Sequence, residues 1–273
     1  MAVAPIHEQI ADTDFRQAVD MMDMGDASGL QALLGKRPSL TTHRESFPDS
    51  NYFNAPSLLE FIAENPVRHD RLPPNAVKIA KIILSANPPP DADSVAGTLA
   101  LVSSGRVVRE AGVQVPLIQL LCKHGADPDA AMPSALAHGE FEAVEALLVA
   151  GAPVTLLVAS ATGRTAELEA TLPNADAATR HSAVALAAQH GHSDCLQKLL
   201  HAGEDPNRFN PDGFHAHSMP LHQAALAGHA EVVQTLLAHG ARRDIPDRAH
   251  QAPAAGWAHH GGHSDLAALL RAD

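Results

Sequence analysis

Aromatic side chains are scarce in this 273-residue chain: they make up 3% of it, with a single tryptophan and a single tyrosine. Hydrophobic residues nevertheless reach 45%, so the core must come mainly from small aliphatic side chains, which suits short helices packed closely together. Basic charge is also short, with 19 Lys and Arg against 31 Asp and Glu, for a formal net charge of -12. Nucleic-acid binders concentrate Lys and Arg on one face or stripe, so a phosphate-tracking surface is not expected. Basic or neutral partners fit such a field better. The first residues, Met1 to Glu8, lack the basic and then apolar segments of a secretory signal, which makes the cytoplasm the expected compartment. One uncharged run, Ala146 to Gly163, approaches the length of a membrane span at 18 residues. The break at Gly151-Ala152-Pro153 divides it into two short buried helices, and no membrane association is expected.

What the chain has is periodicity. Gly139/Gly151, Gly191/Gly203 and Gly228/Gly240 are each 12 residues apart, and a Leu-Leu pair recurs at one offset inside every interval. The clearest copy runs Met219-Pro220-Leu221-His222-Gln223-Ala224-Ala225-Leu226-Ala227-Gly228-His229, then Val232-Val233, Leu236-Leu237 and Gly240-Ala241. It resembles the ankyrin repeat of about 33 residues, with its T-P-L-H-x-A signature. The resemblance implies an all-α ankyrin-repeat solenoid: stacked helix-turn-helix units with short β-hairpin fingers, about eight in number, several of them degenerate. One ankyrin-repeat domain over 1-273 is expected, with degenerate units in 14-130, short units in 131-178 and the best-formed repeats in 181-273.

Over nearly the whole chain the sequence is also similar to a group of bacterial ankyrin-repeat proteins. The shared landmarks are Leu58-Leu59-x-Phe61-Ile62-Ala63-x-Asn65, Pro74-Asn75-Ala76-Val77, Ala111-Gly112-Val113-Gln114 and Gly256-Trp257-Ala258. Glu60 stands where that group has histidine, and Pro253 lies one position early for the motif proline. The group has no defined catalytic activity, so the resemblance implies binding.

Local chemistry gives further expectations. The inner helix of a unit begins with a capping hydroxyl and a proline; Ser182 is the expected cap of the sixth unit, and Ser218 of the seventh. Asn87 replaces a closing glycine and is expected in the left-handed conformation. The stretch from Gly105 to Gly112 reads as an inserted surface bulge. Cys122 and Cys195 fall at buried outer-helix positions, three repeats apart. At roughly 10 Å per helix layer they lie well beyond the Cα separation of about 4.4 to 6.8 Å that a disulfide tolerates, so both should be free thiols.

Thirteen of the 18 histidines lie from His181 onward, a density that raises metal binding as the alternative reading, in a sensor or a metal-dependent enzyme. His192, His229 and His263 are explained as turn residues, which leaves His215, His217, His250, His259 and His260 without a motif role. Nothing in the spacing makes three or four ligands converge as zinc requires, and no metal or cofactor is expected. Asp194 and Cys195 beside His192 should diverge, and no Gly-rich phosphate loop is present, so catalysis is not expected either.

Binding candidates lie in the fingers and on the inner-helix face. Gly191 and Gly228 are 37 apart, four beyond the regular period. The surplus falls in Asn207 to His215, where Phe209 and Phe214 are candidate interface anchors beside His215. His190, Gln223, Arg248, Trp257 and His259 complete the C-terminal concave face, with Trp257 read either as a cap on the stack or as a contact. Tyr52 and Phe53 form a weaker second finger. The expected function is a monomeric, cytoplasmic, non-catalytic module that binds another protein.

Overall fold

The computed structural model describes residues 9–47 and 53–271. The chain forms two compact units, Met1–Ala152 and Pro153–Asp273.

In the first unit, α1 (Thr13–Met24) and α2 (Ala27–Lys36) form a hairpin. Asp12 starts α1 by accepting from the backbone N–H groups of Asp14 and Phe15 at 2.8 and 3.0 Å, and Gly25 ends it with φ 74°. Pro38 then stops α2 and opens a 3-10 turn, Pro38–Thr41. A second 3-10 segment, Leu58–Ala63, takes the inner-helix place of the next hairpin and pairs with α3 (Ala76–Leu84). The third hairpin joins α4 (Ala92–Ser103) to α6 (Gln114–Lys123), and the fourth joins α7 (Pro128–His138) to α8 (Phe141–Val149).

Three local expectations need correction here. The stretch expected as a surface bulge is a short helix, α5 (Arg106–Glu110), with Val107 and Val108 buried. Asn87 is not among the residues with positive φ; it precedes Pro88, whose ring pushes the preceding residue toward extended backbone. Phe53 is not a surface contact: it is 3% exposed, its ring lying 5.2 Å from Phe61 and 6.2 Å from Phe47. Tyr52 lies outside the described residues.

The loop after the second 3-10 segment is held by charge. Glu64, at φ 48°, accepts from the backbone N–H groups of Arg68 and His69, both at 2.9 Å. Its carboxylate also pairs with the Arg68 guanidinium at 2.9 Å, and that guanidinium grips Asp23 of α1 at 2.8 and 2.9 Å. The side chains of Arg68 and Glu64 are 3% and 0% exposed.

The second unit holds four hairpins: α9 (Leu156–Thr162) with α10 (Thr165–Thr171), α11 (Ala177–Gln189) with α12 (Ser193–His201), α13 (Pro220–Ala227) with α14 (Ala230–Ala238), and α15 (Ala254–His260) with α16 (Ser264–Arg271). The inner helices α9, α11, α13 and α15 lie side by side in one layer, with α10, α12 and α14 neighbours in the second. Ala183, Ala187, Ala224, Ala225 and Ala258 are fully buried among Leu196, Leu199, Val232 and Leu236, so small residues bring the inner helices together and leucines fill the space between layers. Cys122 and Cys195 are both free thiols.

Thr155 caps α9 with its hydroxyl, accepting from Val158 N at 3.3 Å, but the two expected serine caps are not at helix starts. Asp176 caps α11 by accepting from Thr179 N at 2.7 Å, while Ser182 sits inside the helix and donates to Ala178 O. Met219 holds the cap position of α13 with Pro220 at the first helical site. The Met219 N–H is satisfied by Nδ1 of His222 at 3.1 Å. Burial pushes the His222 imidazole below its usual range, which keeps that nitrogen unprotonated and able to accept. The fingers are irregular rather than β-hairpins: among the described residues there is no strand, only an isolated bridge between Arg44 and Ser57.

Candidate functional site

The finger preceding α13 is shaped by its own turn. Pro211-Asp212-Gly213 bends back, Gly213 at φ 85°, with Phe214 N donating to Pro211 O at 3.1 Å. This carries the Phe214 ring inward, where it is 8% exposed. Asn210 N donates to Ser218 O at 2.8 Å and closes the loop at its base. The Ser218 hydroxyl accepts from the Gln223 side-chain amide at 2.8 Å and donates to His215 O at 3.0 Å. Gln223 is therefore 5% exposed and committed to holding the finger. Phe214 and Gln223, expected as partner contacts, are internal supports of the loop.

Phe209, half-buried, remains at the surface. The Arg248 guanidinium, from the next finger, lies over its ring at 3.9 Å from the centroid, a cation–π contact. Two further links tie these fingers: Arg248 N donates to His217 O at 2.7 Å, and Asn207 donates its amide to Gly240 O at 3.0 Å while accepting from Arg242 N at 2.8 Å. Consecutive fingers are thus fastened to one another.

Spacing gave no hint of the centre of this face, Asp247. It is 0% exposed, and its carboxylate accepts from the backbone N–H groups of Ala249, His250 and Ala252 at 2.8, 2.6 and 3.1 Å and from the Trp257 indole at 2.9 Å. Burial alone would raise its pKa; the His250, Trp257, Ala252 and Ala249 donors outweigh that and hold it well below the usual carboxylate range. The signal available in sequence was an Asp heading a loop, able to bond backbone two and three positions on. Trp257 is consequently fixed, with His222 and His217 packed on it at 5.4 and 5.8 Å between centroids. His217 also meets His215 and His250, at 6.2 and 6.4 Å.

Among the expected contacts, His215, Arg248 and His259 are exposed, and His190 and Trp257 are half-buried. His215 adopts φ 61° at the loop tip. Beside Trp257 opens a cavity of about 450 Å³ lined by Leu226, His250, Ala252, Gly256, Trp257 and His260.

The candidate catalytic residues Cys195, Asp194 and His192 are not brought together. Cys195 is buried with Sγ 3.9 Å from Ala159 O, and burial raises its pKa. Asp194 is exposed, and His192 Nε2 bonds Ala161 O at 2.9 Å, so the three diverge. Among the described residues no group of three His, Cys, Asp or Glu side chains is placed to hold a metal ion, and no helix is long and apolar enough to cross a membrane.

This stack of Gly-His hairpins matches a known family. A family model described as ankyrin repeats (3 copies) matches residues 106–247 and 184–273. The chain belongs to the ankyrin-repeat family, whose members are in general protein-interaction modules. No curated protein matches it.

Proposed function

We propose that the chain is a non-catalytic interaction module that grips another protein, rather than nucleic acid, on the finger and inner-helix face of its C-terminal unit, acting as a cytoplasmic monomer. One observation carries this reading: the two fingers are locked to each other by Arg248 and Asn207, while His215 and Arg248 remain exposed along them and His259 is exposed on α15. Fingers ordered before binding lose little entropy when a partner docks, so their contacts go into affinity.

Capture from the native lysate tests it. Wild-type protein and the double variant His215→Glu/Arg248→Glu, of equal thermal midpoint, are immobilised side by side. The proposal expects a protein retained by the first and lost from the second. Equal retention by both would place the contact elsewhere.

A further inference from the structure

We propose that the groove between α6 and α8 of the first unit takes an amphipathic helix of a partner protein whose apolar stripe is flanked by lysine or arginine. The sequence of α8 sets up the groove. Ala143, Val144, Ala146 and Leu147 give the helix a buried side, which leaves Phe141, Glu142, Glu145 and Val149 exposed on the other. Val149 is 83% and Phe141 40% exposed, two of the six large apolar side chains left exposed among the described residues, and both fall on this one helix. Helix propensity does not explain them, because valine and phenylalanine form helices less readily than the alanine and glutamate around them. With Val115 of α6 and Ala146 they line a depression of about 490 Å³.

Spacing and charge together decide the occupant. Phe141 and Val149 open and close α8, about 12 Å apart at a rise of 1.5 Å per residue, close to the span of about 10.5 Å between residues i and i+7 of a second helix. A strand laid here would find no ladder partner, since both walls are helices whose backbone groups bond internally, whereas a helix satisfies its own backbone. Glu142 and Glu145 line the groove, both exposed, and none of its lining residues is basic. A partner lysine or arginine therefore meets acceptors beside the apolar surface, and the net charge of -12 steers it there. A second copy docked face to face would set these carboxylates against their own counterparts, and nucleic acid or an anionic membrane would be repelled by them.

The test uses the full chain and fluorescein-labelled helical peptides of about 18 residues, read by anisotropy. One carries leucines at i, i+3, i+4 and i+7 flanked by lysines, one has glutamates for the lysines, and one has alanines for the leucines. The expected result is saturable binding of the first and affinity at least about tenfold weaker for each of the others. Phe141→Gln/Val149→Gln, checked for an unchanged melt, should cost the first peptide about tenfold. Val149→Gln alone, too exposed to disturb the core, should weaken it by about threefold. Glu142→Lys should narrow the preference for lysine over glutamate, and His215→Glu/Arg248→Glu should leave the affinity as it was. Unchanged affinity in the glutamine variants, or equal binding of the alanine peptide, overturns the groove assignment. Equal binding of the glutamate peptide, or an unchanged preference in Glu142→Lys, overturns the charge assignment, and no saturable response overturns both. Weakening in His215→Glu/Arg248→Glu would put the peptide on the fingers and overturn the groove as its seat.

Discussion

The imidazole of His229 lies against Gly191 so closely that a Cβ on that glycine would sit 2.9 Å from its ring. The same relation joins His192 to Gly163 and His263 to Gly228, at 2.6 and 2.4 Å. His229 Nε2 also reaches Gln189 O at 3.1 Å, as His192 reaches Ala161 O. These turn glycines answer to two demands, a left-handed backbone and the ring of the following turn.

Gly191→Ala should therefore cost more than Gly203→Ala. Both residues have positive φ, at 84° and 97°, but a Cβ on Gly203 meets nothing within 4 Å. Backbone strain alone is about 1 to 2 kcal/mol; the steric excess at Gly191 should appear as a lower midpoint in urea melts and be partly relieved in Gly191→Ala/His229→Ala. Equal losses at the two glycines would mean the ring yields freely.

The two finger phenylalanines should separate cleanly. Phe214, 8% exposed, should cost about 3 kcal/mol when replaced by alanine, as buried rings do. Phe209→Ala removes one cation–π contact worth about 0.5 to 1 kcal/mol at an exposed site. Thermal denaturation of the single variants decides it, and similar losses would contradict the placement of the rings.

Asp247 should make the C-terminal unit acid-sensitive. Its folded pKa is depressed, so its stabilising contribution is present above the ordinary carboxylate pKa of 3.8 and drains away as pH falls below that value toward the folded one. Asp247→Asn should lose about 2 kcal/mol at pH 7, the scale of hydrogen bonds to a charged group, and show a flatter stability profile between pH 5 and pH 2, estimated from that linkage at about these limits. Urea melts across pH, followed by Trp257 emission, measure both; an unchanged slope in the variant would rule the carboxylate out.

Arg68→Met leaves Glu64 buried with its backbone donors but without its countercharge. Breaking a buried pair from one side costs about 3 to 5 kcal/mol, so the first unit should melt early while Trp257 emission, from the second, holds its own midpoint. A single shared loss would show the units to be cooperative.

The regular hairpins were legible because their constraints are periodic: α13 and α14 follow from Pro220, the Ala224-Ala225 pair, Gly228 and Leu236. In the second hairpin the apolar spacing of Leu58, Leu59, Phe61 and Ile62 was visible, but not that the segment winds as 3-10. Val107 and Val108 sit within a stretch that breaks the period, so the repeat pattern offers no place for that buried apolar pair. The site was less readable. Phe209 and Phe214 are equivalent in composition, and only the turn at Pro211 to Gly213 sends one inward. The Asp247–Trp257 bond joins side chains ten positions apart across a loop, a pairing that no repeat pattern encodes.

The roofing of the turns at Gly163, Gly191 and Gly228 by the histidine of the following turn gives this half of the molecule a polarity that its repeated hairpins conceal. Strip away one hairpin, and the turn upstream is laid bare while the turn downstream keeps its own cover. Unravelling started at the C-terminal side can thus advance like shingles lifting from the eave, each lost imidazole loosening the next glycine inward.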